Sequence, residues 1–152
     1  MLEIEYSRLF YYGLIDYLDN NYYDVSEYPS FLKYYAKNGN TYVQKEEYIT
    51  LGSYPYIFGN KVGERDTDEY NYDNIIIKNY IEDMRCANSN NSTDTLCKCM
   101  GEMAELMTVK RNPSAHKGSI SFKLISFVIE ALITKRAFLK TIMENFYEAK
   151  YQ

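Results

Sequence analysis

Tryptophan is absent, histidine occurs once, and the longest apolar stretch, Ile120 to Ile133, is interrupted by Lys123 and Glu130. That stretch falls short of the ~20 apolar residues a membrane helix needs, so no bilayer span and a soluble protein are expected. With one histidine there is no cluster of metal-ligand spacing, and neither a metal nor another cofactor is expected. The three cysteines, Cys86, Cys97 and Cys99, form no C-x-x-C pair and have no histidine nearby, which argues against both a zinc site and a disulfide framework. Buried free thiols in a reducing, cytoplasmic setting are the expectation. Basic residues are missing from Met1-Leu2-Glu3-Ile4-Glu5, where a secretory signal would carry them. The sequon Asn91-Ser92-Thr93 has no consequence without secretion.

Tyrosine, by contrast, is plentiful: 18 residues in a chain that is 46% hydrophobic and 25% charged, an ordinary globular balance. Such a supply suits either stacking platforms for bases or normal packing with the hydroxyls reaching water. Sequence alone assigns no tyrosine to a site. The 152 residues suit one domain with its own core. The net charge of -4 hides an asymmetry. Residues 1–100 carry 9 basic and 16 acidic side chains, whereas 101–152 carry 8 basic and 5 acidic. A cationic C-terminal third attracts a phosphate backbone locally, although a solvated helix face with extra lysines has the same composition.

Helical periodicity runs through much of the chain. Leu2, Tyr6, Leu9, Phe10, Leu14, Ile15 and Leu18 predict an amphipathic helix over 2–19, weakened slightly by Gly13 and stopped at Asp19-Asn20-Asn21. A short helix is expected over Ser30 to Lys37, ending at Asn38-Gly39-Asn40. Residues 43–58 read as helical at first, with Gly52, Pro55 and Gly59 limiting the run. Asn60 to Asn71 reads as a loop, and a helix is expected from about Tyr72 to Arg85. Val43 to Tyr48 and Tyr72 to Ile77 carry the weakest helical signal. The stretch 88–93 is low in complexity and is expected to be an exposed loop. A further helix should begin near Thr93 or Asp94 and carry Leu96, Met100, Met103, Leu106, Met107 and Val109 up to Asn112-Pro113. There the proline should break or kink it. Gly118-Ser119 offers a second break before a long apolar segment, Ile120 to Tyr147. The sum is an all-α bundle of about five to six helices with antiparallel neighbours.

One stretch combines groups suited to chemistry: Arg111-Asn112-Pro113-Ser114-Ala115-His116, flanked by Lys110 and Lys117. An imidazole gives and takes protons near neutral pH. A guanidinium offers a planar fork of donors for phosphate oxygens. An asparagine amide holds an oxygen or a neighbouring side chain in place. On an unbroken helix, positions five apart lie roughly 140° around the axis, so Arg111 and His116 would diverge. A break before Pro113 would bring them together, with Asn112 as a cap at a helix start that favours anions.

The pattern Arg111-Asn112-x-x-Ala115-His116 at a helix junction resembles the spaced arginine–histidine signature of the HEPN superfamily. The form with Asn after Arg is similar to that of ribonuclease domains in CRISPR type III ancillary nucleases and related phage-defence proteins. The resemblance covers about 92–147, a motif-bearing core, and leaves 1–91 as a variable helical part of a single domain. Gly118 departs from the aromatic residue that many family toxins carry two positions after the histidine.

The resemblance implies a homodimer in which two motifs share one cleft and cut single-stranded RNA without metal. In it, His116 would be the general acid or base or would orient the 2′-hydroxyl, Arg111 would stabilise the transition state, and Asn112 would position His116 or the scissile phosphate. Lys110 and Lys117 would add to substrate binding. A sensor domain or an antitoxin would be a further partner, although nothing in the chain resembles one. A non-catalytic HEPN nucleotide-binding or scaffold module is the alternative.

Overall fold

Helix α1 (Leu2–Ser7) and helix α2 (Gly13–Asn20) flank a π-helical turn, Arg8–Tyr12, so the backbone is helical from residue 2 to 20 as the apolar spacing predicts. The structure, a computed structural model, describes residues 2–85, 91–114 and 139–147. The π-turn and Gly13 answer to one side chain. Tyr80 enters from another helix and donates its hydroxyl to the Leu9 carbonyl, and a Cβ at position 13 would collide with that hydroxyl. Gly13 therefore clears space for a tertiary bond, and the small propensity cost of glycine in a helix is offset there.

The chain then departs from the expected helices. Ser30–Leu32 is a single 3₁₀ turn, and strand β1 (Lys33–Tyr35) pairs antiparallel with strand β2 (Thr41–Val43). The helix expected over Ser30 to Lys37 is thus a hairpin. Its Asn38-Gly39 turn, with Gly39 at φ +83° and the Asn38 side chain accepting from Asn40 N–H, lies between aromatic and β-branched residues. That combination favours paired strands over a helix stop. Residues 43–58 likewise form no initial helix. Two 3₁₀ turns, Glu46–Tyr48 and Leu51–Ser53, lead into the one-turn helix α3 (Tyr54–Ile57).

Helix α4 (Thr67–Met84) starts five residues before the expected Tyr72. Asp66 caps it by accepting from Glu69 N–H at 2.7 Å, and the acidic first turn suits the positive end of a helix. Its first turns are polar and exposed, so they carry no apolar rhythm. The buried face, Asp73, Ile76, Ile77, Tyr80 and Ile81, begins only at the second turn.

Helix α5 (Thr93–Ser114) is capped by Ser92, whose Oγ accepts from Thr95 N–H. It buries Leu96, Cys97, Met100, Met103 and Ala104 against α3 and α4. Residues 139–146 are helical and bring Ile142, Phe146 and Tyr147 into the same core.

Tyrosines fill that core as much as aliphatics do. Tyr6, Phe10, Tyr54 and Phe58 form one aromatic cluster, with Tyr6 and Tyr54 rings 4.7 Å apart and Phe10 and Phe58 rings 4.8 Å apart. Several buried hydroxyls find acceptors: Tyr6 donates to the Met100 carbonyl at 2.6 Å and Tyr28 donates to Asp19. The architecture is all-α with one small hairpin on its flank. Among the described residues no helix is long and apolar enough to cross a membrane. Cys97 is buried and Cys99 half-buried, both free, while Cys86 and residues 88–90 of the expected 88–93 loop lie outside the described residues, and Thr93 already belongs to α5.

Candidate functional site

Helix α5 carries the beginning of the motif. Its N-terminal part is fixed by packing and by one close approach: the Asn60 side chain lies against Gly101, donating its amide to the Lys98 carbonyl at 3.2 Å. Any Cβ at position 101 would overlap that amide. Lys61 adds an ion pair to Glu105 at 2.8 Å. Farther along, Thr108 bonds back to the Ala104 carbonyl and lies beside Gly52, so α5 rests on the turn Leu51–Ser53.

About one further turn of backbone brings in Lys110, Arg111 and Asn112, consecutive on the same stretch of α5. The break expected at Asn112-Pro113 is absent: the helix continues through both residues and is described to Ser114. Pro113 has no N–H to give the Val109 carbonyl, and that loss falls on the last described turn, clear of the packed stretch 96–104. Asn112 is therefore inside a helix rather than a cap before one, and the anion-favouring N–H groups of a helix start are not located there. The helical repeat sets position 111 on the line of Met100 and Ala104, eleven and seven residues earlier. His116 and Lys117 lie outside the described residues.

A groove of about 750 Å³ opens beside Thr108. It is lined by the apolar Ile4, Ile49, Leu51 and Tyr54, with Glu3, Glu46 and Glu47 making an acidic rim. Ser7 donates to Glu46 at 2.5 Å and Tyr12 donates to the same carboxylate. These bonds, that of Ser7 foremost, hold the Glu46 carboxyl below its ordinary range. Such a rim repels a polyanion. The groove's residues come from three separate segments, and no local pattern announced it in the sequence.

A second arrangement was also invisible to sequence. Asp73, 1% exposed, accepts from Ser30 N–H at 2.9 Å, from the Ser30 hydroxyl and from Arg65 Nη1 at 3.2 Å. Arg65 also donates to the carbonyls of Tyr56, Lys61 and Val62. The network is fully satisfied and ties the 56–65 segment to α4, which is what positions Asn60 against α5. Among the described residues no three His, Cys, Asp or Glu side chains gather as a metal site requires. Comparison with protein-family models, curated proteins and solved structures finds no match to this chain.

Proposed function

We propose that this chain is a cytoplasmic, metal-independent endoribonuclease of the HEPN type, cutting single-stranded RNA in a cleft shared by two copies, in defence against phage. The observation that carries the reading is the sequence Arg111-Asn112-Pro113-Ser114-Ala115-His116, which holds the protein's one imidazole and lies on and just beyond the far end of α5 in an all-α fold. The core-bound part of α5 is locked at Gly101, and a catalytic group gains from a rigid support.

In the proposed reaction the ribose 2′-hydroxyl attacks the adjacent phosphorus and the bond from phosphorus to the 5′-oxygen breaks. The products are a 2′,3′-cyclic phosphate and a 5′-hydroxyl. His116 moves a proton off the attacking oxygen or onto the leaving one. Arg111 offsets the charge that builds on the phosphoryl oxygens, and Asn112 orients the phosphate or the imidazole. Lys110 and Lys117 add positive potential along the strand. The reaction requires Arg111 and His116 to act on one phosphate, both from one copy or one from each.

The test is cleavage of single-stranded RNA in excess EDTA by the purified protein and by His116→Ala. Loss of at least two orders of magnitude in the variant is expected, the usual scale of removing a proton-transfer group. Equal activity of the two proteins, or activity only with added metal, would contradict the reading.

A further inference from the structure

The β1–β2 hairpin presents two tyrosines where its fold does not require exposed rings. Tyr34 and Tyr42 are directly opposite in the register, so they share one face. Their rings are 5.7 Å apart and within 29° of parallel, each about two-fifths exposed. The opposite face carries Lys33 and Val43, and Val43 packs on the core, so the tyrosine face is the outer one. Tyr35, at the strand end, is 70% exposed.

Charge sets this hairpin apart from its surroundings. Residues 28–45 contain Lys33, Lys37 and Lys45 and no acid, whereas the rest of residues 1–100 carries six basic against sixteen acidic side chains. Lys37 and Lys45 are exposed and form no ion pair among the described residues, and Lys33 lies 5.9 Å from the Tyr35 ring centre. Of the acids around this segment, Glu27 is folded back onto the Asp24 N–H and Glu46 accepts from Ser7 and Tyr12, while Glu47 is exposed and Glu69 lines a cleft with Lys33 and Tyr35. A cross-strand aromatic pair by itself steadies a short hairpin, and β-branched residues would serve as well. Lys33, on the inner face, is held by the Ser26 carbonyl at 2.7 Å, but steadying a hairpin does not call for the two exposed lysines Lys37 and Lys45 or for a segment without acids.

We propose that the outer face of this hairpin is a docking platform for a single-stranded polynucleotide, with bases stacking on Tyr34 and Tyr42 and phosphates meeting Lys37 and Lys45. Base–aromatic stacking with flanking cations is tolerant of sequence, as a platform separate from the cutting residues requires. The choice of RNA as the polymer rests on the ribonuclease reading. The platform itself does not depend on cleavage.

The experiment measures fluorescence anisotropy of a fluorescein-labelled single-stranded RNA oligonucleotide with full-length His116→Ala protein, over a range of salt. Tyr34→Phe with Tyr42→Phe should bind within about twofold of that parent, keeping the π faces. Tyr34→Ile with Tyr42→Ile, which keeps an apolar β-forming pair, should bind at least roughly tenfold more weakly, the loss of about one stacked base. Lys37→Gln with Lys45→Gln should lower the slope of log affinity against log salt by about 1.4, two phosphate contacts on a single strand.

Unchanged affinity in the Ile pair with an unchanged salt slope in the Gln pair would overturn the proposal, as would absence of RNA binding by the parent. Should the Ile pair fail to fold, the Gln pair decides alone. Wild-type protein that binds through the platform yet never cleaves would sink the ribonuclease reading and leave the platform standing. Cleavage by wild type alongside unaltered binding by the platform variants would do the reverse.

Discussion

At the scale of single residues, the most demanding position is Gly101. The Asn60 amide occupies the space of its missing side chain, with Oδ1 buried and without a hydrogen-bond partner, close against the helix. Gly101→Ala gains about 1 kcal/mol of helix propensity but forces a buried side chain to move, a cost of about 1–3 kcal/mol. We expect a net loss near 1 kcal/mol by urea denaturation. Asn60→Gly added to Gly101→Ala should recover much of it, and independent losses that simply add would contradict the contact.

The buried tyrosines make a second prediction at this scale. Burial pushes the phenols of Tyr6, Tyr54 and Tyr80 well above their ordinary value, and burial with the Asp19 bond pushes Tyr28 up to about 12. Ionisation is thereby easier in the unfolded chain. The stability these groups contribute is intact below about pH 10 and falls as pH rises toward the folded values, by about 1.4 kcal/mol per pH unit for each tyrosine. Unfolding followed by far-ultraviolet circular dichroism should steepen above pH 10, and a flat profile to pH 12 would contradict it. None of these roles was legible in the sequence, because a tyrosine in the core and one on a platform are the same letter. Only the register of Tyr34 with Tyr42 and the burial of Tyr6 and Tyr54 tell them apart.

At the scale of elements, legibility followed periodicity. Residues 2–20, α4 and α5 were predictable because each buries a stripe at helical spacing, and α4 was misjudged only where its first turns face solvent. The stretch 30–58 was misread because its order comes from turn chemistry and short pairings: Asn38-Gly39, the reciprocal caps of Thr50 and Ser53, and Pro55 in the first turn of α3. Pro113 lies within α5 rather than breaking it, since preference at one residue does not outweigh a helix already secured by packing.

The segment from Tyr56 to Arg65 has no regular structure beyond α3 and depends on the Arg65–Asp73 pair. Removing one partner of a buried pair leaves a charge unpaired, which costs about 3–5 kcal/mol. Asp73→Ala should therefore lower stability by at least about 3 kcal/mol. Protease cutting should appear between 56 and 65 before any other site. A variant as stable as the parent would show the pair to be dispensable.

At the scale of the whole molecule, the all-α class was readable from periodicity, while the small hairpin on its flank was not. Contacts cross the division that the resemblance draws between a motif-bearing part and the remainder, since Tyr6 bonds the α5 backbone and Tyr147 donates to Glu5, binding the two parts together. The charge asymmetry takes on a spatial sense among the described residues: the groove beside Thr108 is acidic and the hairpin is basic. A polyanion is repelled from the first and drawn to the second.

The measurement that addresses the proposed chemistry most directly is the identity of the ends left on RNA cut in EDTA, read by mass spectrometry beside a 2′-deoxy strand of the same sequence. A 2′,3′-cyclic phosphate facing a 5′-hydroxyl, with the deoxy strand intact, is the expected result. A 3′-hydroxyl facing a 5′-phosphate, or equal cutting of the deoxy strand, would mean that the ribose oxygen is not the nucleophile.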